Sequence, residues 1–474
     1  VGTPLMAEVD RDNNVWIADR LQGLLKSESG NEKVAIIPDG PSNKFVASIK
    51  IKNNKLLAVA GGTSSALGNL FRQAEYYTYQ NNQWNSWQTD SLRDLVNICF
   101  DPEDTSHYYI GSWGYGLLEF SGNELVNLYD EFNSSLQTII PNGDFIRIGG
   151  ITYDDNKNLW VTNSGVPSPL SVLKNNGEWK GFPIQNRINT PNMGKLIYTS
   201  AGHLWMILPG GNGLFVYSTN GTIDNMDDDD FLKLSIQDEN NKVITNDVYD
   251  IAEDKSGNIW LGTNKGILVY YSPSRVFSNE NFYAQPIIIP RKDDSGIGDP
   301  LLGSETVSVI EVDGANRKWL GTKNAGAFLV SDDGYEEIHA FNTNNSPILS
   351  NSITDIAIND ESGTVFFGTD NGIISYNSDA TEPDEVFQDV YVYPNPVRED
   401  YSGDIVISGL VENTIVKITD LNGNLVYETR SLGGQALWNG NNLNGDKAAT
   451  GVYLVFLSNE EGTLTHTTKL LLIH

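Results

Sequence analysis

Asp254-Lys-Ser-Gly-Asn-Ile-Trp-Leu-Gly-Thr-Asn-Lys-Gly-Ile267 is the stretch whose reading decides the fold. A polar turn, Asp254 to Asn258, separates the apolar Ile251 and Ala252 from a second apolar run around Trp260. Side chains from Asn258 to Thr263 alternate in character, the period of a β-strand. Gly262, directly beyond that run's centre, permits a bulge or the close approach of another backbone. Related units centre on Trp16, Trp160, Trp205 and Trp319, with Tyr109 and Phe366 replacing the tryptophan and a weaker copy at Leu57. These eight centres lie 41 to 59 residues apart and about 50 on average, room for four short strands and their turns.

A single four-stranded sheet cannot cover both of its faces, whereas sheets stacked in a ring cover each other. The large aromatic fills the wedge between adjacent sheets. The composition agrees: 45 Gly, 21 Tyr, 17 Phe and 10 Trp are interleaved with Asn-Gly and Asp-Gly turn signals, while Met is scarce. We therefore expect an all-β chain whose residues 1–380 form a β-propeller. Seven blades with one unit left over is the favoured count, and eight is the alternative. The leftover unit could belong to a second propeller absent from this chain.

Around residue 380 the repeat stops. Asn377 to Asp384 is polar, and residues 381–389 read as a linker. Residues 390–474 read as a small Ig-like β-sandwich. The two prolines of Tyr393-Pro-Asn-Pro396 hold the chain extended at a sheet edge. Strands are expected at Asp404 to Ser408, Thr414 to Thr419, Leu425 to Glu428, Gly451 to Leu457 and Lys469 to Ile473, with a hairpin turn at Leu421 to Asn424.

The Asp254 to Ile267 stretch resembles the two-component regulator propeller repeat of Bacteroidetes. Tyr393-Pro-Asn-Pro-Val397, Ile418-Thr-Asp-Leu-Asn-Gly-Asn-Leu-Val426, Trp438-Asn-Gly440, Ala449-Thr-Gly-Val-Tyr453 and Lys469-Leu-Leu-Leu-Ile473 resemble the C-terminal sorting domain of type IX secretion cargo. That resemblance makes Tyr393, Pro394, Asn395, Pro396, Gly451, Tyr453 and Lys469 the sorting motif. It implies export through the periplasm to the outer-membrane surface, where a sortase joins cargo to anionic lipopolysaccharide. Leu92 to Pro102, His107 to Phe120, Asn133 to Leu136 and Arg147 to Ile151 are similar to the PorZ family, which combines both domain types. The implied role is a non-enzymatic accessory of the type IX attachment complex that hands anionic lipopolysaccharide to the sortase and keeps its own sorting domain. Its implied partners are the attachment-complex proteins, including the sortase, and the lipopolysaccharide. Members of this family carry two propellers, and this chain has room for about one.

Charge narrows the classes. A net charge of -30 repels phosphate backbones, so nucleic acid is excluded as a partner, and it keeps an exposed protein soluble. No run of 18 apolar residues exists, so no helical membrane span is expected. Val1 is not an initiator, so the chain reads as mature or as a fragment. The single cysteine, Cys99, lies in an apolar run and reads as core. His107, His203, His339, His466 and His474 are scattered without zinc-ligand spacing, and neither a nucleophile elbow nor a phosphate loop is present. No cofactor and no catalytic residue is assigned, and the chain is not expected to be an enzyme.

Candidate binding residues are few. Trp113, Gly114, Tyr115 and Gly116 place aromatics between glycines on a turn, where they could stack on a glycan, the alternative being that Trp113 packs within its blade. Asp227 to Asp230 could hold a hard cation through oxygen ligands, or form a solvated tip between strands. Whether any metal binds is left open. A phosphorylated glycan would need a basic cluster or a bridging cation, for which Arg187, Arg291 and Lys292 are candidates by residue type alone. Two further roles are carried forward: a surface glycan-binding or adhesive propeller that uses the tail for export, and a sensor ectodomain. A sensor would continue into a membrane helix and a kinase, whereas here a sorting-type tail follows the repeats.

Overall fold

Every one of the eight repeat centres lies on the second strand of its own sheet, from Trp16 on Val15–Asp19 to Trp260 on Ile259–Thr263 and Phe366 on Thr364–Thr369. The structure, a computed structural model, describes residues 2–20, 22–27, 33–36, 39–141, 143, 145–278, 282–291 and 296–473. Seven antiparallel sheets succeed one another as blades 1 to 7, spanning residues 48–93, 95–129, 146–182, 196–234, 248–286, 307–341 and 353–377. The first strand of each lies innermost. The ring closes where Ser48–Lys52 of blade 1 meets Ile353–Ile358 of blade 7, and the Ile49 N–H donates to Asp355 at 2.7 Å. This is the seven-bladed propeller with one unit left over.

The reason for closure is visible in the core. It divides into clusters that each straddle two neighbouring blades, so no blade has a core of its own. Trp205, Leu214 and Val216 of blade 4 pack with Ile251, Leu261 and Leu268 of blade 5. Val46, Ile49 and Tyr77 at blade 1 pack with Ala357 and Phe366 of blade 7. Trp160, Trp205, Trp260 and Trp319 are each at most 2% exposed, and full burial of one large apolar side chain stabilises by about 1.5–3 kcal/mol. The glycine after the aromatic serves both expected purposes. The first strand bulges opposite Gly262, Gly321 and Gly368. A Cβ on Gly262 would stand 2.8 Å from the Val307 carbonyl of the next blade.

Pro4–Val9, Val15–Asp19, Gly23–Ser27 and Lys33–Ile36 form a further four-stranded sheet. It has the same internal wiring as a blade, with the Trp16 indole donating to Asp10 at 2.8 Å. Its surroundings differ: Leu5 is 69% and Val9 65% exposed. Among the described residues, no cluster of the ring core includes this sheet.

The tail is a sandwich of two sheets. Tyr391–Tyr393, Ile405–Ser408 and Gln435–Trp438 form one, and Leu425–Arg430, Ile415–Thr419, Gly451–Ser458 and Thr465–Leu472 the other. Between them lies a core around Trp438, Ile407, Ile418 and Val455. The last strand starts at Thr465, four residues before the expected Lys469, because residues 465–472 pair along the whole of Gly451–Ser458.

Candidate functional site

The turn between the first and second strands sits at one end of the ring, here called the lower face. In blade 5 this turn is built by Asp254. One carboxylate oxygen accepts the Ser256 and Asn258 N–H groups at 3.0 and 2.8 Å, and the other accepts the Trp260 indole N–H at 2.8 Å. Asp154 repeats the arrangement with Asn158 and Trp160. Blade 6 departs from it, because Arg317 stands where blade 5 has Asn258. The Arg317 Nε takes the Asp313 oxygen at 2.8 Å, which leaves the Trp319 indole N–H without a partner.

The freed arm of Arg317 reaches the start of the tail, where Nη2 donates to Asp379 at 2.7 Å. Burial alone would raise the pKa of Asp379, but this bond and the guanidinium charge hold it below the usual carboxylate range. Of the residues that follow, the first two are packed, while Glu382 and residues 384–386 of the expected linker are exposed. Ala380 and Thr381 are 1% and 4% exposed. Gly434 of the sandwich donates its N–H to Thr381 at 2.9 Å, Glu382 donates to Asp360 of blade 7 at 2.9 Å, and Asp384 donates to Leu410 at 3.0 Å. Lys255 of blade 5 pairs with Glu382. A Cβ on Gly314 or Gly433 would stand 1.9 or 2.0 Å from the Thr381 carbonyl oxygen, so both positions need glycine for want of space. The connection between propeller and sandwich is therefore a built joint. Its one sequence signal is the arginine in place of the repeat's asparagine.

The residues expected to form a sorting motif all lie in the sandwich, where Asn395 and Lys469, widely separated in sequence, meet. Asn395, between Pro394 and Pro396, donates from Nδ2 to the Lys469 carbonyl at 3.0 Å and accepts the Leu471 N–H at 3.1 Å. Val397 continues the pairing with Leu471 and Ile473. Tyr453 is buried and its hydroxyl donates to the Ala449 carbonyl at 2.7 Å, closing the turn that leads through Gly451 into the strand. Tyr391 and Tyr393 remain exposed and stack on each other, with ring centroids 5.6 Å apart. Lys469 is exposed.

Trp113 is 4% exposed, and its indole N–H donates to the Leu67 carbonyl at 2.9 Å. The Arg147 guanidinium lies 5.5 Å from its ring centre. Residues 113 and 114 also pair with Arg147 and Ile146, joining blade 2 to blade 3. Gly116 holds φ 81° and a Cβ there would meet the Tyr129 carbonyl at 2.2 Å. The tetrad is thus internal framing between blades 1, 2 and 3, and Trp113, at 4% exposed, has no open face for a sugar. Tyr115 is half-buried beside the core shared by blades 1 and 2.

The charged candidates have separate partners. Arg187 lies over Phe231, with the guanidinium 4.4 Å from the ring centre, and Arg291 pairs with Asp299; Lys292 and His474 lie outside the described residues. Asp228 accepts from Thr222, Asp229 from Tyr217 and Asp230 from Asn220, so the acidic run ties down a lower-face loop. Among the described residues, no three of His, Cys, Asp and Glu are placed to hold a metal ion. Cys99 is half-buried, and burial pushes its thiol up to about 12. His107 is held between Asp101 at 3.1 Å and Glu119 at 2.7 Å. In the bore, Lys195 pairs with Asp250, and Lys50 of blade 1 lies 3.9 Å from Glu311 of blade 6.

Comparison with known proteins follows the same division. Residues 391–472 match the secretion system C-terminal sorting domain family, and residues 242–265 match the two component regulator propeller family. No curated protein matches the chain. Among solved structures, it is similar to PorZ of Porphyromonas gingivalis, described as an essential bacterial surface component of the type-IX secretion system, at 26% identity and a TM-score of 0.72. The match covers 98% of this chain and 64% of that one, so the chain spans somewhat less than two thirds of the length of PorZ. It is also similar in fold to the extracellular domain of a hybrid two component system of B. thetaiotaomicron, at 12% identity and a TM-score of 0.50, covering 99% of this chain and 68% of that one. The chain joins a PorZ-like, regulator-type propeller to a secretion-system C-terminal sorting domain.

Proposed function

We propose that this chain is a non-enzymatic accessory of the type IX attachment machinery at the cell surface, that it helps deliver anionic lipopolysaccharide to the sortase, and that it keeps its sorting domain. The observation that carries the reading is the joint at Thr381. A sorting domain used only as an address would need no buried, hydrogen-bonded connection to its cargo, whereas one retained as a working part does. The likeness to PorZ supports the same role. The sheet of residues 4–36, wired as a blade but open on its faces, supports the reading that it belongs to a second propeller.

The test is a gene deletion followed by profiling of all type IX cargo in the surface and medium fractions. Loss of anchoring across all cargo is expected. A defect confined to one adhesion or binding phenotype would overturn the accessory role in favour of a propeller that is itself exported cargo. Removal of residues 387–474 is expected to abolish surface display.

A further inference from the structure

Six blades of the ring have four strands, and blade 7 has three among the described residues, ending at Gly372–Asn377. Along this last strand, between blades 7 and 1, a cleft of about 580 Å³ opens. That volume falls within the roughly 300–1,000 Å³ of small-ligand sites.

The lining departs from the character of the chain. Charged residues make up 19% of the sequence, yet none lines this cleft. Instead it presents five asparagines, at positions 54, 81, 82, 359 and 377, with the hydroxyls of Thr364 and Ser375. Asn54, Asn81 and Asn82 hold left-handed backbone, with φ of 58°, 52° and 59°, a conformation asparagine tolerates and one that fixes where its amide sits. Tyr79 and Trp84, with ring centroids 4.9 Å apart, form an aromatic wall. Internal bonds use only part of the polar capacity. Asn359 donates to Asn54 at 2.6 Å, Tyr79 to Asn82 at 3.1 Å and Thr364 to Asn377 at 3.2 Å. Among the described residues, the Asn81 amide and the Nδ2 groups of Asn82 and Asn377 remain free.

A side-chain amide carries a donor and an acceptor side by side, which suits neighbouring hydroxyls, and an aromatic wall suits the C–H face of a sugar ring. An anion would find no cation here, and Glu361, bonded to Asn54, adds negative charge beside the opening. We propose that the cleft between blades 7 and 1 binds a short neutral saccharide. The site stands independently of lipopolysaccharide delivery. Where that delivery role holds, the cleft takes the uncharged sugars of the polymer, and the phosphates stay outside, away from a protein of net charge -30.

The experiment presents the full chain to an array of neutral and phosphorylated oligosaccharides, followed by titration calorimetry with the neutral oligosaccharide bound best. Selective binding of a neutral saccharide is expected, weakened at least about tenfold by Trp84→Ala and by Ser375→Arg. Ser375 is exposed, so S375R fills the opening without disturbing the core, and an unchanged melting temperature certifies its fold. No binding by the wild type, a preference for phosphorylated sugars, or full affinity in S375R would each overturn the proposal. Cells whose S375R protein has lost saccharide binding but still anchor all cargo would overturn the cleft's part in delivery and leave the saccharide site standing.

Discussion

Asp254 and Trp260 are joined across six residues by a 2.8 Å bond from the indole N–H to a carboxylate oxygen, and the same oxygen lies 3.1 Å from the ammonium of Lys318 on the next blade. Lys318 is fully buried, with its ammonium also over the Trp260 ring at 4.5 Å and donating to the Asp332 carbonyl. One carboxylate thus closes a turn, orients the wedge aromatic and neutralises a buried cation between blades 5 and 6.

Removing it should be costly. Asp254→Ala leaves Lys318 buried without its counter-ion, a change of about 3–5 kcal/mol, and frees the two turn N–H groups as well. The expected outcome is a clear fall in the propeller's melting temperature. Asp10→Ala, at the equivalent position of the exposed first sheet, should leave that transition nearly unmoved. Differential scanning calorimetry of both variants checks this.

Arg317→Ala should act on the joint. It unpairs buried Asp313 and releases Asp379, again a loss of about 3–5 kcal/mol by the cost of breaking a buried pair. Limited proteolysis should then cut within residues 378–386 faster than in the wild type, while the sandwich survives as a resistant fragment. Equal cutting rates in the two proteins would contradict the joint.

Gly314→Ala tests the same joint sterically, without removing a charge. The added Cβ would stand 1.9 Å from the Thr381 carbonyl oxygen, so the chain must move there. We expect faster cutting at the same segment, with little change in the melting of the ring.

His107 should make stability depend on pH. Burial works against its charged ring, but the bonds it donates to the Glu119 and Asp101 carboxylates outweigh this, and its pKa is raised. Tyr109 and Tyr129, which also donate to Glu119, stay neutral because burial raises them well above their usual range. A raised folded-state pKa means the contribution is full below the ordinary histidine value near 6.5 and is lost as pH rises through the folded value. The melting temperature should therefore fall on going from pH 6 to pH 9, and His107→Gln should flatten that part of the profile.

Asn395→Leu should loosen the sorting domain. It removes two bonds to the terminal strand at little change in volume, worth about 0.5–1.5 kcal/mol each. Hydrogen exchange of the Leu471 amide should rise, and surface display should fall with it.

The sequence by itself determined the repeat. Its aromatic centres, its Asp-to-Asn turns and its following glycines specify local strands and bulges, so the ring, its seven blades and the sandwich behind it were legible. Turn chemistry and alternation act within a few residues, and that is why they can be read. Which aromatic would be open to a ligand was not legible. Trp113 and Trp84 are both large aromatics beside turns, yet the first is sealed by Arg147 and a blade-to-blade pairing, and the second faces a cleft. The difference comes from blade 7, which has three strands among the described residues and ends nearly three hundred residues away from Trp84. Likewise Arg317 is one altered letter in a repeat. Only the packing of the segment after blade 7 and of the sandwich against blade 6, which brings Asp379 to Arg317 and Gly433 to Gly314, makes that letter the anchor of a joint. Such contacts depend on how distant segments pack, and local sequence carries no record of its distant neighbours.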